Sequence, residues 1–336
     1  MQTNRLSFVN AAVTTPIIAA FPGSASRAER LAEMCGLLPS IVAEQSGFVP
    51  LHAVEQFLNA LQGSADNPLF LYRSLDVERA TRASTVANII LPTNFTGVEA
   101  MQALARTFSS QLVGAEFFCE VTGDRRIWVQ RSAATTEWTN NWPVQQYNLR
   151  AVLDGVRLVL GYRIAPVAAR LGMLPTPSER PEDLRHIPID VNPTTMGLAF
   201  DLADVVCARP FSSAQSPQPN NHVSANVDGV TTQSITACLS NYICTTATDC
   251  SAERVARTFG ISDRTYRRRL KELGTKHSEL VSNARLSLAL RMLQDHSLSA
   301  TQIAFELGYS QQGDFTRFFT RRVGMSHTED RRIERD

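Results

Sequence analysis

Hydrophobic residues in the first two hundred positions recur at two different spacings. Some stretches place them three and four apart and others at every second residue, so helices and strands are interleaved. Short helices are expected over Ala28–Cys35 and His52–Leu61. A stronger one is expected over Gly97–Phe108, where Val98, Met101, Leu104 and Ala105 share a side. Ala115–Val121 and Arg126–Arg131 then alternate as a hairpin, with Thr122-Gly123-Asp124-Arg125 supplying the turn conformations. The helical spacing returns over Gln146–Gly172, where Asp154, Arg157, Arg163 and Arg170 suit a surface-facing stripe, and it yields at Pro175, Pro177 and Pro181. Ile187–Val191 and Leu198–Phe200 read as strand. Pro210–Asn226 is rich in Ser, Pro, Asn and Gln without any period, which predicts a linker or exposed loop.

From Ser234 onward the chain changes to short helices with clear start signals, and it repeats itself. Residues 251–262, Ser-Ala-Glu-Arg-Val-Ala-Arg-Thr-Phe-Gly-Ile-Ser, return 48 positions later as Ser-Ala-Thr-Gln-Ile-Ala-Phe-Glu-Leu-Gly-Tyr-Ser at 299–310. Five of the twelve positions are identical, and Val255/Ile303, Phe259/Leu307 and Ile261/Tyr309 exchange apolar for apolar, so the shared feature is a structural unit. In each copy a serine caps a helix, and Ser299 has Gln302 at the right distance for a capping box. Ala256 or Ala304 leaves room for a second helix to cross closely. Gly260 or Gly308 then ends the first helix at positive φ, and Ser262 or Ser310 caps the second. This succession is that of a helix-turn-helix.

The second helices are expected to bury Tyr266, Leu270 and Leu273 in one copy and Phe315 with Phe318 or Phe319 in the other. Opposite that face lie Arg264, Arg267, Arg268 and Lys271, and in the second copy Gln312, Gly313, Thr316 and Arg317. Guanidinium and amide groups can form paired hydrogen bonds with base edges, and Arg or Lys also pair with phosphates. A merely solvated charged face explains one such helix as well as a binding face does, but explains a tandem pair poorly. Lys276–Leu293 reads as one helix between the copies, with Leu280, Ala284, Leu288 and Met292 as its apolar stripe. At ~1.5 Å per residue it is ~27 Å long, against ~34 Å between successive major grooves on one side of B-DNA.

Composition adds an asymmetry. The 336 residues carry 33 Lys and Arg against 32 Asp and Glu, a net charge of +1. Divided after residue 232, the two parts carry −3 and +4. A basic C-terminal third points to a polyanion. At 43% hydrophobic and 19% charged the chain has the balance of a globular protein, and its length suits two domains.

Six scattered cysteines make no disulfide framework, and Cys244 and Cys250 lack the companions of a zinc site, so no metal is expected. Phe8–Phe21 imitates a secretion signal only loosely: Asn10, Thr14, Thr15 and Pro16 interrupt it and Arg5 alone precedes it. A cytoplasmic protein that does not span a membrane is expected. No nucleotide-binding, metalloprotease or serine-hydrolase motif occurs, and neither catalysis nor a cofactor is expected. His52 and His186 have no companions at metal or general-base spacing, and Glu116 and Glu120 fit a solvated strand face. Trp128, Trp138 and Trp142 are read as core in preference to an effector-stacking pocket.

The final hundred residues resemble the DNA-binding domain of the AraC/XylS family of transcription regulators. The carriers are Val255-Ala256, Gly260 to Leu270, Arg285 and Ala289, Ile303-Ala304, Leu307 to Ser310, Phe315, Arg317, Phe319 and Gly324. The chain departs from the family pattern at His327 and Asp330, although Ser326-His-Thr-Glu329 forms a capping box of its own. Residues 1–207 resemble, by order of elements only, the arabinose-binding-type N-terminal domain of one branch of that family.

The resemblance implies an α+β sensing and dimerising domain (1–207), a linker (208–232) and an all-α DNA-binding domain with two helix-turn-helix motifs (233–336). It also implies double-stranded DNA and RNA polymerase as partners, a small-molecule effector bound at residues the sequence does not identify, and a homodimer. Base-facing positions would be Arg264, Arg267, Arg268, Gln312, Gly313, Thr316 and Arg317. The rival reading is a DNA alkylation-repair protein with an acceptor cysteine, for which Cys207-Ala-Arg209 is the nearest candidate.

Overall fold

A computed structural model of the chain describes residues 6–14, 17, 18, 21, 25–37, 47–74, 95–132, 141–161, 163–208, 232–245, 250–294 and 298–324. It divides into two compact units, Met1–Ser46 with Pro50–Val230 and Gly47–Val49 with Thr231–Asp336. The first mixes helices and sheets, and the elements described in the second from Thr232 onward are helices. The stretch read as a linker, Trp138 and the Ser326–Glu329 box lie outside the described residues.

In the first unit, β1 (Phe8–Asn10) pairs antiparallel with β2 (Leu112–Val113). The helices α1 (Ala25–Met34), α2 (Leu51–Gly63) and α3 (Phe70–Ser74) lie between them in sequence. They are followed by α4 (Gly97–Ser110), which starts on a capping box: Glu99 N–H donates to Thr96 Oγ1 at 3.3 Å, and Thr96 N–H to Glu99 Oε2 at 2.8 Å.

The larger sheet is built from β3 (Phe117–Thr122), β4 (Arg126–Ser132), β5 (Ala168–Leu171), β6 (Ile189–Val191) and β7 (Thr195–Asp201), in the spatial order β3-β4-β7-β5-β6. Its pairs are antiparallel except β5 with β6. The expected hairpin is present as β3 and β4, in register from Phe117 opposite Arg131 to Thr122 opposite Arg126. Glu116 and Glu120 are exposed.

The helix expected over Gln146–Gly172 is two elements. α5 runs over Trp142–Leu160, opening with Asn141 Oδ1 accepting from Val144 N–H at 3.3 Å and with Pro143 in its first turn. It stops because Gly161 takes φ 101°, and Pro166 then bars the helical conformation at the preceding residue. The chain emerges as β5, so Arg170 belongs to a strand, where it stacks 4.5 Å over the Trp128 ring and bonds Asp190 Oδ2 at 2.8 Å. The surface stripe is therefore corrected. Arg157 reaches Asp183 at 2.7 Å, and Asp154 accepts from Arg150 Nε at 2.8 Å. α5 buries Leu149, Val152, Leu153 and Val156 completely or nearly so, each worth about 1.5–3 kcal/mol. The short α6 (Leu202–Cys207) closes the unit, capped by Asp201. Trp128 and Trp142 are buried.

The second unit consists of α7 (Thr232–Thr245), α8 (Ala252–Thr258), α9 (Asp263–Glu272), α10 (His277–Gln294), α11 (Ala300–Glu306) and α12 (Gln312–Val323). α7 packs on α10, α8 on α9, and α11 on α12. Among the described residues of the chain, no helix is long and apolar enough to cross a membrane.

Candidate nucleic-acid interface

The two copies of the repeat fold through the same hydrogen bonds. Ser251 Oγ accepts from Arg254 N–H at 3.3 Å to start α8, and Ser299 Oγ from Gln302 N–H at 3.2 Å to start α11, where Gln302 Oε1 accepts from Ser299 N–H at 2.8 Å and completes the box. Both helices then end on a glycine at positive φ, 64° at Gly260 and 79° at Gly308. Ile261 N–H reaches back to the Ala256 carbonyl at 3.1 Å and Tyr309 N–H to the Ala304 carbonyl at 2.9 Å. The glycine N–H groups bond the Arg257 and Phe305 carbonyls, both at 2.9 Å. This double closure satisfies the last carbonyls of each helix and turns the chain sharply.

The second helices start differently. Ser262 caps α9 through Thr265 N–H at 3.2 Å. Ser310 does not cap α12, which begins one residue later than expected with Gln311 as its N-cap and no side-chain cap bond. The conserved spelling of the repeat thus hides a one-residue shift of the helix start.

Packing follows the predicted faces with small displacements. Val255, Ala256, Tyr266 and Leu270 are buried in the first copy, and Ile303, Ala304, Phe315 and Phe319 in the second. Leu273 and Phe318 are half-buried. On the connecting helix α10 the buried seam is Leu280, Ala284, Ala289 and Leu293, one position on from the expected Leu288 and Met292, which flank it. At 3.6 residues per turn the step from Ala284 to Ala289 carries the buried position to the opposite side of α10, where Ala289 and Leu293 join the core of the second copy with Ile303, Leu307 and Phe319.

Opposite these faces the predicted binding residues are turned outward. Arg264, Arg267, Arg268 and Lys271 are all exposed on α9, as are Gln312, Gly313 and Arg317 on α12, while Thr316 is half-buried. Arg267 Nε is held by Asp263 Oδ2 at 2.7 Å, and that bond raises the guanidinium pKa. Arg268 faces Glu272 at 3.8 Å, and Arg317 bonds Asp314. Two positions on α12 are already engaged: Gln312 Oε1 accepts from Thr301 Oγ1 at 2.8 Å, and Thr316 Oγ1 donates to the Gln312 carbonyl at 3.1 Å. Nothing lies within 4 Å of where a Cβ on Gly313 would stand.

Three residues have supporting roles that the spacing of the sequence does not mark. Arg269, inside the basic run, is only 6% exposed, and burial lowers its pKa. His277 joins three helices of the first motif: Nε2 donates to the Cys250 carbonyl at 2.7 Å just before α8, and Nδ1 accepts from Tyr266 Oη–H at 3.0 Å on α9. This is the neutral tautomer. Burial lowers the imidazole pKa, while the Cys250 bond opposes the shift. Arg285 on α10 lies 5.1 Å over the Tyr309 ring and braces the second motif. Arg269 and Arg285 stand within the family pattern, which marks their positions but not these roles, and His277 had no sequence signal.

This geometry makes the C-terminal unit a tandem helix-turn-helix domain of the AraC type, and residues 255–333 match the family described as "Helix-turn-helix domain". Similar chains include the HTH-type transcriptional regulator VqsM of Pseudomonas aeruginosa, 36% identical over 74 residues, covering 22% of this chain and 23% of that protein. The HTH-type transcriptional regulator VirS of Mycobacterium tuberculosis is 38% identical over 77 residues, or 23% of each chain. The chain thus spans under a quarter of the length of the curated relatives it matches. Among solved structures, the transcriptional regulator CdpR from Pseudomonas aeruginosa aligns over 91% of this chain and 97% of its own at 15% identity, with a TM-score of 0.35. A likeness at that level establishes no common fold for the N-terminal unit. The rival's Cys207 is exposed at the end of α6, Arg209 lies outside the described residues, and the family match does not include either.

Proposed function

We propose that this protein is a sequence-specific, DNA-binding transcription regulator whose tandem helix-turn-helix motifs read successive major grooves. The observation that carries the reading is the outward basic and amide-bearing face on both second helices, mounted on two glycine turns with the same hydrogen-bond pattern. Arg264, Arg267 and Arg268 on α9 and Gln312, Thr316 and Arg317 on α12 contact base edges. Lys271 pairs with phosphate and fixes the register. Gly313 gives no side chain to its groove, so the second motif specifies less than the first.

Each arginine of an exposed ion pair exchanges a carboxylate for a base or phosphate on binding. Such pairs contribute little at the surface, so the exchange costs little. The N-terminal α+β unit senses a small-molecule effector and pairs two copies, and the bound complex engages RNA polymerase in the cytoplasm. The resemblance stated above supports these roles, and the names of the relatives support the regulatory reading. The test is a gel shift across a salt series with the full chain, Arg267→Ala and Arg317→Ala. Weaker binding of the selected site by both variants is expected, and unchanged affinity in both contradicts the assignment.

A further inference from the structure

Inside the N-terminal unit, α2, α4, α5 and β4 converge on a cavity of about 160 Å³. Most of its wall is apolar, with Leu51, Val54, Leu58 and Phe117 among the lining side chains. One part of the wall is different. Arg131, 2% exposed, comes from β4 and donates from Nη1 to Asn148 Oδ1 on α5 at 3.1 Å, and Glu55 on α2 acts on the guanidinium through space. All three residues line the cavity.

Burying a charge is tolerated only with its counter-charge at hand, and the nearby Glu55 carboxylate provides that for Arg131. The other acid on the wall, Asp154, is held by Arg150 at 2.8 Å. Both carboxylates therefore already have a guanidinium.

An apolar void of similar size accommodates a benzene ring. A mostly apolar hollow with a few fixed polar groups is the usual form of a small-molecule site. Balanced charge decides the kind of molecule. A ligand carboxylate would add a buried negative charge beside Glu55, and a ligand ammonium a buried positive charge beside Arg131; in either case one charge stays uncompensated. An uncharged ligand keeps the balance, and a single acceptor oxygen suits a five-donor guanidinium backed by an amide.

We propose that this cavity binds an uncharged small molecule of about six to ten non-hydrogen atoms, with an apolar ring or short chain against Leu51, Val54 and Leu58 and one carbonyl or hydroxyl oxygen directed to Arg131 and Asn148. The inference deepens the effector half of the proposed function and rests on it for any effect on DNA; the binding itself does not. A ligand here touches α2, α4, α5 and the sheet together, so its presence tightens the joint at which they meet.

The experiment is calorimetric titration of the full-length protein with benzamide, benzoate and benzamidine, which share one shape and differ in charge. Benzamide is expected to bind saturably at one site, with the two charged analogues at least about tenfold weaker. Val54→Phe and, separately, Leu58→Trp fill the void, and each is expected to abolish benzamide binding. Circular dichroism and thermal melting identify whichever variant keeps the fold. Absence of saturable benzamide binding, undiminished binding in a folded filled variant, or equal binding of a charged analogue overturns the proposal. DNA affinity measured on the same preparation separates the two readings. DNA binding without benzamide binding removes the cavity site alone, and the reverse removes the regulator reading alone.

Discussion

Five of the ten residues of α9 are cationic, yet their environments differ enough to assign them different work. Arg267 is exposed and held by Asp263 in a surface ion pair, which its guanidinium can exchange for a base or phosphate. Replacing it with Ala is expected to weaken binding of the selected site by between about fivefold and a hundredfold, and to relax sequence preference at one base position. Arg317→Ala should do the same at a base in the second groove. Lys271→Ala should instead weaken selected and unrelated DNA alike and lower the salt slope by about one, which anisotropy titrations in rising salt can read. Arg269, two residues from Arg267, is buried; its loss should lower the thermal midpoint of the C-terminal unit, with base preference intact. Sequence spacing separated Arg267 and Arg268 from the core correctly, and it predicted their exposure. It gave no account of Arg269, because a long aliphatic stem can bury itself while its charge is tolerated by neighbours that no local pattern reveals.

At the scale of elements, caps and turns decide how the reading helices are held. Ser299 closes a box and Ser310 caps nothing, although both occupy repeat positions that look equivalent. Ser299→Ala should cost about 1 kcal/mol of local stability, seen as faster amide exchange in α11. Ser310→Ala should leave exchange in α12 unchanged.

His277 supplies a pH dependence of determinable sign. Its folded-state pKa is lowered, so folding favours the neutral ring, and the stabilisation is complete above the unfolded pKa near ~6.5. It is lost as pH falls from there toward the folded value. Between pH 8 and 5 the melting temperature of the full chain should decline below ~6.5, and less steeply in His277→Gln; a rise on acidification contradicts the tie between Cys250, His277 and Tyr266. The paired turns were legible in sequence because glycine, serine and a small crossing residue each have a local mechanical reason. The end of α5 was not legible in the spacing, because the apolar period continues past Gly161 and Pro166 while the stop is set by the backbone conformation at those two residues. The tie through His277 spans 27 residues to Cys250 and left no periodic mark.

Over the whole molecule, two units with different chemistry account for the proposed behaviour. The C-terminal unit was almost fully readable, since a duplicated pattern repeats its own physical logic and any single coincidence is tested by its second copy. The N-terminal unit was readable only as a list of elements. Its parallel pairing of β5 with β6, its sheet order and the joint around Arg131 come from contacts distant in sequence, which single-chain periodicity does not encode.

The proposed function requires two motifs acting together on one duplex. The measurement that tests this most directly is selection of bound fragments from a random double-stranded DNA pool by the intact protein, repeated with Arg267→Ala and Arg317→Ala. The predicted result is two short enriched words centred about ten base pairs apart, with each variant losing the word read by its own helix. Enrichment of no sequence, of one word only, or of two words at variable separation contradicts it.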